Sequence, residues 1–247
     1  MSSESEIKIE ICVDSVASAI AAAEGGADRL ELCQGLDVGG LTPSYGLLKE
    51  VLNRIRVYEI PVYMLVRPRA GNFVYSMREI DIMKADIHMG HVLGIDGFVT
   101  GALSSDGSVD RMGCHELMEA ALWKPVTFHR AFDVTHHSRA LEDVIDSGFT
   151  RILTSGRSRT ATEGLYAINK LIAQAKSRII IMPGSGISYL NLEQILHGTD
   201  AKEIHSSGKD PNLRVVEPEC VVRGAAFTPL TCEDAVRRMV KIANLQL

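Results

Sequence analysis

The sequence predicts an α/β protein, a single (β/α)8 barrel spanning residues 1–247. Three observations predict it. Eight short apolar runs are each followed by a segment of helical spacing, at intervals of roughly 20–35 residues. The runs start apolar and end in polar, ionisable residues, the gradient expected where the carboxyl-end face of a barrel carries a site. No Gly-x-Gly-x-x-Gly follows the first run, which argues against a dinucleotide site in the alternative fold, a doubly wound open sheet.

The elements follow in order. Ile7 to Val13 alternates as a strand, and Ser15 caps an Ala-rich helix that closes on Gly25-Gly26. Arg29 to Cys33 is the second strand, parallel to the first. After Gly39-Gly40, Thr42 is the expected cap and Pro43 the first residue of a helix through Leu47, Leu48, Val51, Leu52 and Ile55. Pro61 to Val66 is the third strand, and Ser76 caps a long helix to about Leu93. Strands are expected at 96–101, 125–129, 150–154, 178–182 and, most weakly, 201–206. Helices are expected at 109–122, 138–146, 162–175 and 190–197. Thr231 is read as the cap of a terminal helix that ends near Leu245. Residues 1–6 read as a polar tail, and 208–230 as a loop over the barrel mouth.

Composition narrows the function. The formal charge is −5 and no Lys/Arg block stands out, which argues against nucleic acid or an anionic membrane as partner. No secretory signal or membrane-length run is visible. Five scattered cysteines (12, 33, 114, 220, 232) then read as reduced cytosolic thiols.

The strand ends supply the candidate site. Alternation puts Glu10 with Cys12, and Glu31 with Cys33, on the face away from the helices. Two thiols side by side on neighbouring strands would seat a soft monovalent ion such as Cu(I), although free cysteines are also buried for packing alone. Arg67 and Arg69 could clamp an anion, or neutralise Glu10 and Glu31, the role favoured for Arg67. His129 reads as a general acid or base, a metal ligand, or a hydrogen-bonded structural group. Asp133 would orient His129 or pair with Arg130. Gly184 and Gly186, with His205, Ser206 and Ser207, lie where many barrels hold phosphate, or form ordinary turns. These parts also suit an enzyme acting on a small anionic metabolite.

Several phrases carry a family resemblance. They are Glu10-Ile11-Cys12-Val13-Asp14-Ser15, Gly26 to Cys33, Gly39 to Ser44, Arg67-Pro68-Arg69, Thr127 to Asp133 and Leu153-Thr154-Ser155-Gly156. In this order they resemble the CutC family from about residue 7 to 207. The resemblance implies a (β/α)8 barrel, a role in copper homeostasis, self-association, and a cytoplasmic location with the nucleus as the alternative. From animal members it implies Cu(I) held by Cys12 and Cys33. The chain departs at Arg69-Ala70-Gly71-Asn72-Phe73, where members commonly have Arg-Gly-Gly-Asp-Phe, and has Ser185 where they have Gly or Ala.

Overall fold

The computed structural model describes residues 7–213 and 230–245. The expectations for residues 1–6, for Cys220 and for most of the 208–230 loop lie outside them. Among the described residues, eight strands alternate with eight α-helices. They run β1 (Lys8–Val13), α1 (Val16–Glu24), β2 (Arg29–Leu32), α2 (Tyr45–Ile55), β3 (Val62–Leu65), α3 (Met77–Leu93), β4 (Gly97–Thr100) and α4 (Arg111–Ala121). Then come β5 (Val126–Phe128), α5 (Ala140–Asp146), β6 (Arg151–Thr154), α6 (Leu165–Ala175), β7 (Ile180–Pro183), α7 (Leu192–Gly198), β8 (Glu203–Ser206) and α8 (Glu233–Asn244). Every ladder is parallel, in the order β7-β6-β5-β4-β3-β2-β1-β8. β7 and β8 lie side by side without a ladder, so the barrel is nearly closed. No helix among the described residues is long and apolar enough to cross a membrane.

Local chemistry explains most boundaries. Ser15 caps α1 by accepting from the Ser18 N–H at 3.1 Å. Ser76 and Glu79 form a reciprocal capping box on α3. Two expected caps are displaced. The Thr42 hydroxyl accepts the Arg67 N–H at 2.9 Å, so Ser44 caps α2 instead. Thr231 donates to the Ser207 carbonyl at 3.1 Å and its N–H reaches Ser18 Oγ at 3.2 Å. It therefore ties the last helix to the β8 end and to α1, and α8 starts at Glu233.

The strands sort their side chains by parity. Ile9, Ile11, Val13, Leu30 and Leu32 are fully buried in the core shared with the helices. Glu10, Arg29, Glu31, Tyr63, Arg151 and Glu203 occupy the lumen instead, all 6% exposed or less. Arg29 bridges two carboxylates there, with Nε to Glu10 Oε2 and Nη2 to Glu203 Oε2, both at 2.5 Å. Arg151 binds Glu203 through Nε at 3.0 Å and Nη2 at 3.1 Å. The Tyr63 ring packs against both guanidinium groups, with Cζ atoms 4.9 and 5.4 Å from its centroid. Gly97 stands beside Tyr63 in the register, and a Cβ there would fall 2.6 Å from the ring.

These ions neutralise one another inside the barrel. Removing one partner strands a buried charge, which costs far more than losing an exposed pair. Arg29→Met is expected to lower unfolding free energy by about 3–5 kcal/mol in denaturant titration. Arg54→Ala, which breaks the exposed Arg54–Glu50 pair, is expected to cost under about 1 kcal/mol.

Candidate functional site at the barrel mouth

The strands' carboxyl ends open into a cavity of about 230 Å³ whose walls include Cys12, Glu31, Arg67, His129, Arg130 and His205. Register explains why these meet. Glu10 stands opposite His205 on β8, and Cys12 stands opposite Glu31 on β2. β1 thus brings acids and a thiol against an imidazole from the far end of the chain.

Three ligand atoms from Glu10, Glu31 and His205 lie within 4.8 Å of one another. His205 Nδ1 is 2.7 Å from Glu10 Oε1 and 3.9 Å from Glu31 Oε2. Burial pushes the Glu10 carboxyl up, but Arg29 and His205 outweigh it and hold it below the ordinary carboxylate range. Glu31 lacks an arginine partner. Burial pushes it above its ordinary range; the Glu10 charge adds to this, while His205 and Arg29 offset only part. Glu31 Oε2 is buried and has no hydrogen-bond partner among the described residues. Burial works against a charge on His205, yet Cys12, Glu31 and Glu10 raise it well above its ordinary value.

The cysteines occupy the lumen side, as the alternation predicts, but not side by side. Cys12 pairs in register with Glu31, and Cys33 lies beyond the end of β2. The ladder places the two a diagonal step apart, because barrel strands are staggered. Cys12 borders the cavity together with Glu31 and His205. Cys33 is fully buried against Tyr63, Leu65 and Val99, and its Sγ donates to the Val13 carbonyl at 3.5 Å. Burial, then the charge of Cys12, push its thiol up. Gly40 covers it: at φ +83, a Cβ would lie 2.7 Å from Leu65 Cδ2 and 3.7 Å from Cys33 Sγ.

The arginines differ from expectation. Arg67 does not neutralise Glu10 or Glu31. Its Nη atoms donate to the carbonyls of Val38, Gly40 and Gly71 at 2.8–3.0 Å, and it packs over Phe73. Its Nε is buried without a partner. Glu10 is held by Arg29, which shares lumen parity with Glu31 and Cys33. That parity was the available signal for Arg29. Arg69 turns out of the mouth and binds Glu79 at 2.5 Å and the Asn72 and Val74 carbonyls, so it stitches its loop to α3.

His129 borders the cavity, but Asp133 does not orient it. Asp133 accepts from Arg130, from Thr154 Oγ1 and from the Ser155 and Arg157 N–H groups, so it fastens the β5 and β6 ends together. His129 Nδ1 accepts the Ala131 N–H at 3.3 Å, which leaves the proton on Nε2, a buried atom with no partner. The phosphate-type loops are partly committed. The Gly184 N–H donates to the Thr154 carbonyl at 2.9 Å. The Ser206 hydroxyl donates to the Ile187 carbonyl and accepts the Gly208 N–H. Gly186, His205 and Ser207 border the cavity.

Burial, then the Arg67 charge, hold His129 down at about 3. The unfolded chain takes up this proton near pH 6.5 while the folded chain refuses it. The folded state therefore loses stability as pH falls below about 6.5, by up to about 1.4 kcal/mol per pH unit for this group. His129→Gln is expected to flatten that dependence between about pH 6 and 4, read from denaturant midpoints.

Comparison with known proteins bears on what this mouth serves. A human copper homeostasis protein cutC homolog is 52% identical over 202 residues, covering 81% of this chain and 73% of that protein. A family protein CutC of Xanthomonas campestris strain 8004 is 48% identical over 204 residues, covering 82% and 84%. A crystal structure of a CutC from Streptococcus agalactiae superposes with TM-score 0.78 at 35% identity, covering 81% and 98%. A thiamine phosphate pyrophosphorylase of Pyrococcus furiosus, at TM-score 0.63 and 16% identity, shares the fold alone. The CutC family model matches residues 7–210, and with those relatives it establishes that the chain belongs to the CutC family of copper homeostasis proteins.

Proposed function

We propose that the chain acts in copper homeostasis by binding Cu(I) through the Cys12 and Cys33 thiolates at the barrel mouth. The observation that carries this reading is that both cysteines lie on the lumen side at the carboxyl ends of neighbouring strands, Cys12 on β1 opposite Glu31 and Cys33 just past the end of β2. Two thiolates in a buried site suit a soft monovalent ion and offer little to a hard one. The donor set fits the ion: Cys33 Sγ has only a long contact to a carbonyl, and Cys12 faces the cavity. The names of the human and bacterial relatives support the same direction. A cytoplasmic location and self-association belong to this reading, since a reducing compartment keeps the thiols free.

Anaerobic Cu(I) titration against a competing chelator tests it. One ion per chain is expected, and Cys12→Ser or Cys33→Ser is expected to weaken binding at least tenfold, about 1.4 kcal/mol. Unchanged stoichiometry and affinity in both variants would remove the reading.

A second reading, an enzyme acting on a small anionic metabolite, draws on the cavity itself. Arg67 Nε and His129 Nε2 are buried donors without partners among the described residues, and both residues line it. Inorganic phosphate is the simple probe. Calorimetry should show binding that Arg67→Lys, which lacks the Nε donor, weakens at least tenfold. Absence of phosphate binding counts against this reading and leaves the copper reading untouched.

A further inference from the structure

We infer that the lumen holds a second cation position beneath the cysteines, built from Glu10, Glu31 and His205 and suited to a borderline divalent ion such as Zn2+. Three adjacent strands supply it, with β1 between β8 and β2. The three ligand atoms already converge within 4.8 Å. Bonds of about 2.0–2.2 Å at tetrahedral or octahedral angles place donors about 3.0–3.5 Å apart. The observed 2.7 Å between His205 Nδ1 and Glu10 Oε1, and 3.9 Å between Nδ1 and Glu31 Oε2, bracket that spacing. Small side-chain shifts therefore suffice.

Glu31 is the independent sign. It is 6% exposed, its Oε2 has no hydrogen-bond partner, and it points toward His205. A buried carboxylate oxygen without a donor is costly unless a cation completes it. The two buried acids nearest it each have a guanidinium: Glu10 has Arg29, and Glu203 has Arg29 and Arg151. Glu10 Oε2 is held by Arg29, which leaves Oε1 facing the imidazole. Arg29 thus fixes the Glu10 carboxylate in the way outer partners orient metal ligands.

The chemistry separates this position from the thiol site. One imidazole and two carboxylates suit Zn2+, Fe2+ or Mn2+ and hold nothing soft for Cu(I), whereas the paired thiolates supply the soft donors Cu(I) needs. Three protein donors leave a coordination position for water or for a group entering from the cavity, since Glu31 and His205 border it. Such an ion would present a Lewis acid in the same cavity as Arg67 and His129.

Cobalt(II) replaces zinc spectroscopically and reports its ligands, so it is the probe. The wild-type chain is expected to bind one Co2+ with d–d absorption that Zn2+ displaces. Glu31→Gln and His205→Gln are each expected to weaken Co2+ at least tenfold, while thermal melts confirm that both variants fold. Cys33→Ser is expected to keep Co2+ binding while losing Cu(I), and Glu31→Gln is expected to keep Cu(I). The inference is overturned if Co2+ does not bind, if both carboxylate and imidazole variants bind it like wild type, or if Cys33→Ser abolishes it. Failure of Cu(I) binding alone leaves this position standing.

Discussion

Arg29 touches two carboxylates at once, and the arrangement of the lumen depends on that double contact. It draws Glu10 from β1 and Glu203 from β8 against one guanidinium in the buried lumen. Arg151 supplies the second positive charge, so the two acids and two bases of this layer cancel. An apolar filling could be equally stable. The ionic filling adds geometric demand: the guanidinium reaches both acids only if β1 sits between β2 and β8 in this register. A one-residue slip would turn Arg29 under the helices, where nothing could neutralise it.

With that layer balanced, the residues above it are left to one another. Among the described residues Glu31 has no arginine bonded to it, and His205 faces Glu10 and Glu31. Arg67, the nearest free-looking cation by sequence, is drawn off by three carbonyls of the loops after β2 and β3. Those loops bend because Gly39, Gly40 and Gly71 adopt positive φ, and bent loops turn carbonyls inward. A residue that could have neutralised the acids instead shapes the rim.

The fold was legible because it rests on local periodicity. Alternation along Ile9 to Val13 already separates Ile9, Ile11 and Val13 from Glu10 and Cys12, and the structure keeps that division. Ser15 and Ser76 announce their helices through contacts three residues away. The site was only half legible. Parity says which side chains share the lumen but not their height, so Cys12 meets Glu31 rather than Cys33. Contacts that depend on closure carry no local signal: His205 reaches Glu10 from 195 positions away, and Arg29 reaches Glu203 from 174. Thr42 looked like a cap because its rival partner, the Arg67 N–H, arrives only when β3 is in place.

Height then becomes the organising variable for function. Along each of three strands toward the mouth, a charged or hard donor gives way to a softer one: Glu10 precedes Cys12 on β1, Glu31 precedes Cys33 on β2, and Glu203 precedes His205 on β8. Donor softness rises along that path. Cys12 stands at the junction, opposite Glu31 in the ladder and on the cavity wall with His205. Any charge placed on one side of Cys12 is felt on the other, because burial leaves little solvent to screen it. On the readings proposed above, ions at the thiols and at the acids would be coupled, and by linkage the coupling would act equally in both directions. The sign would follow from charge: two cations in one buried lumen repel, so an ion that fits one level well would lower the lumen's affinity for a second at the other.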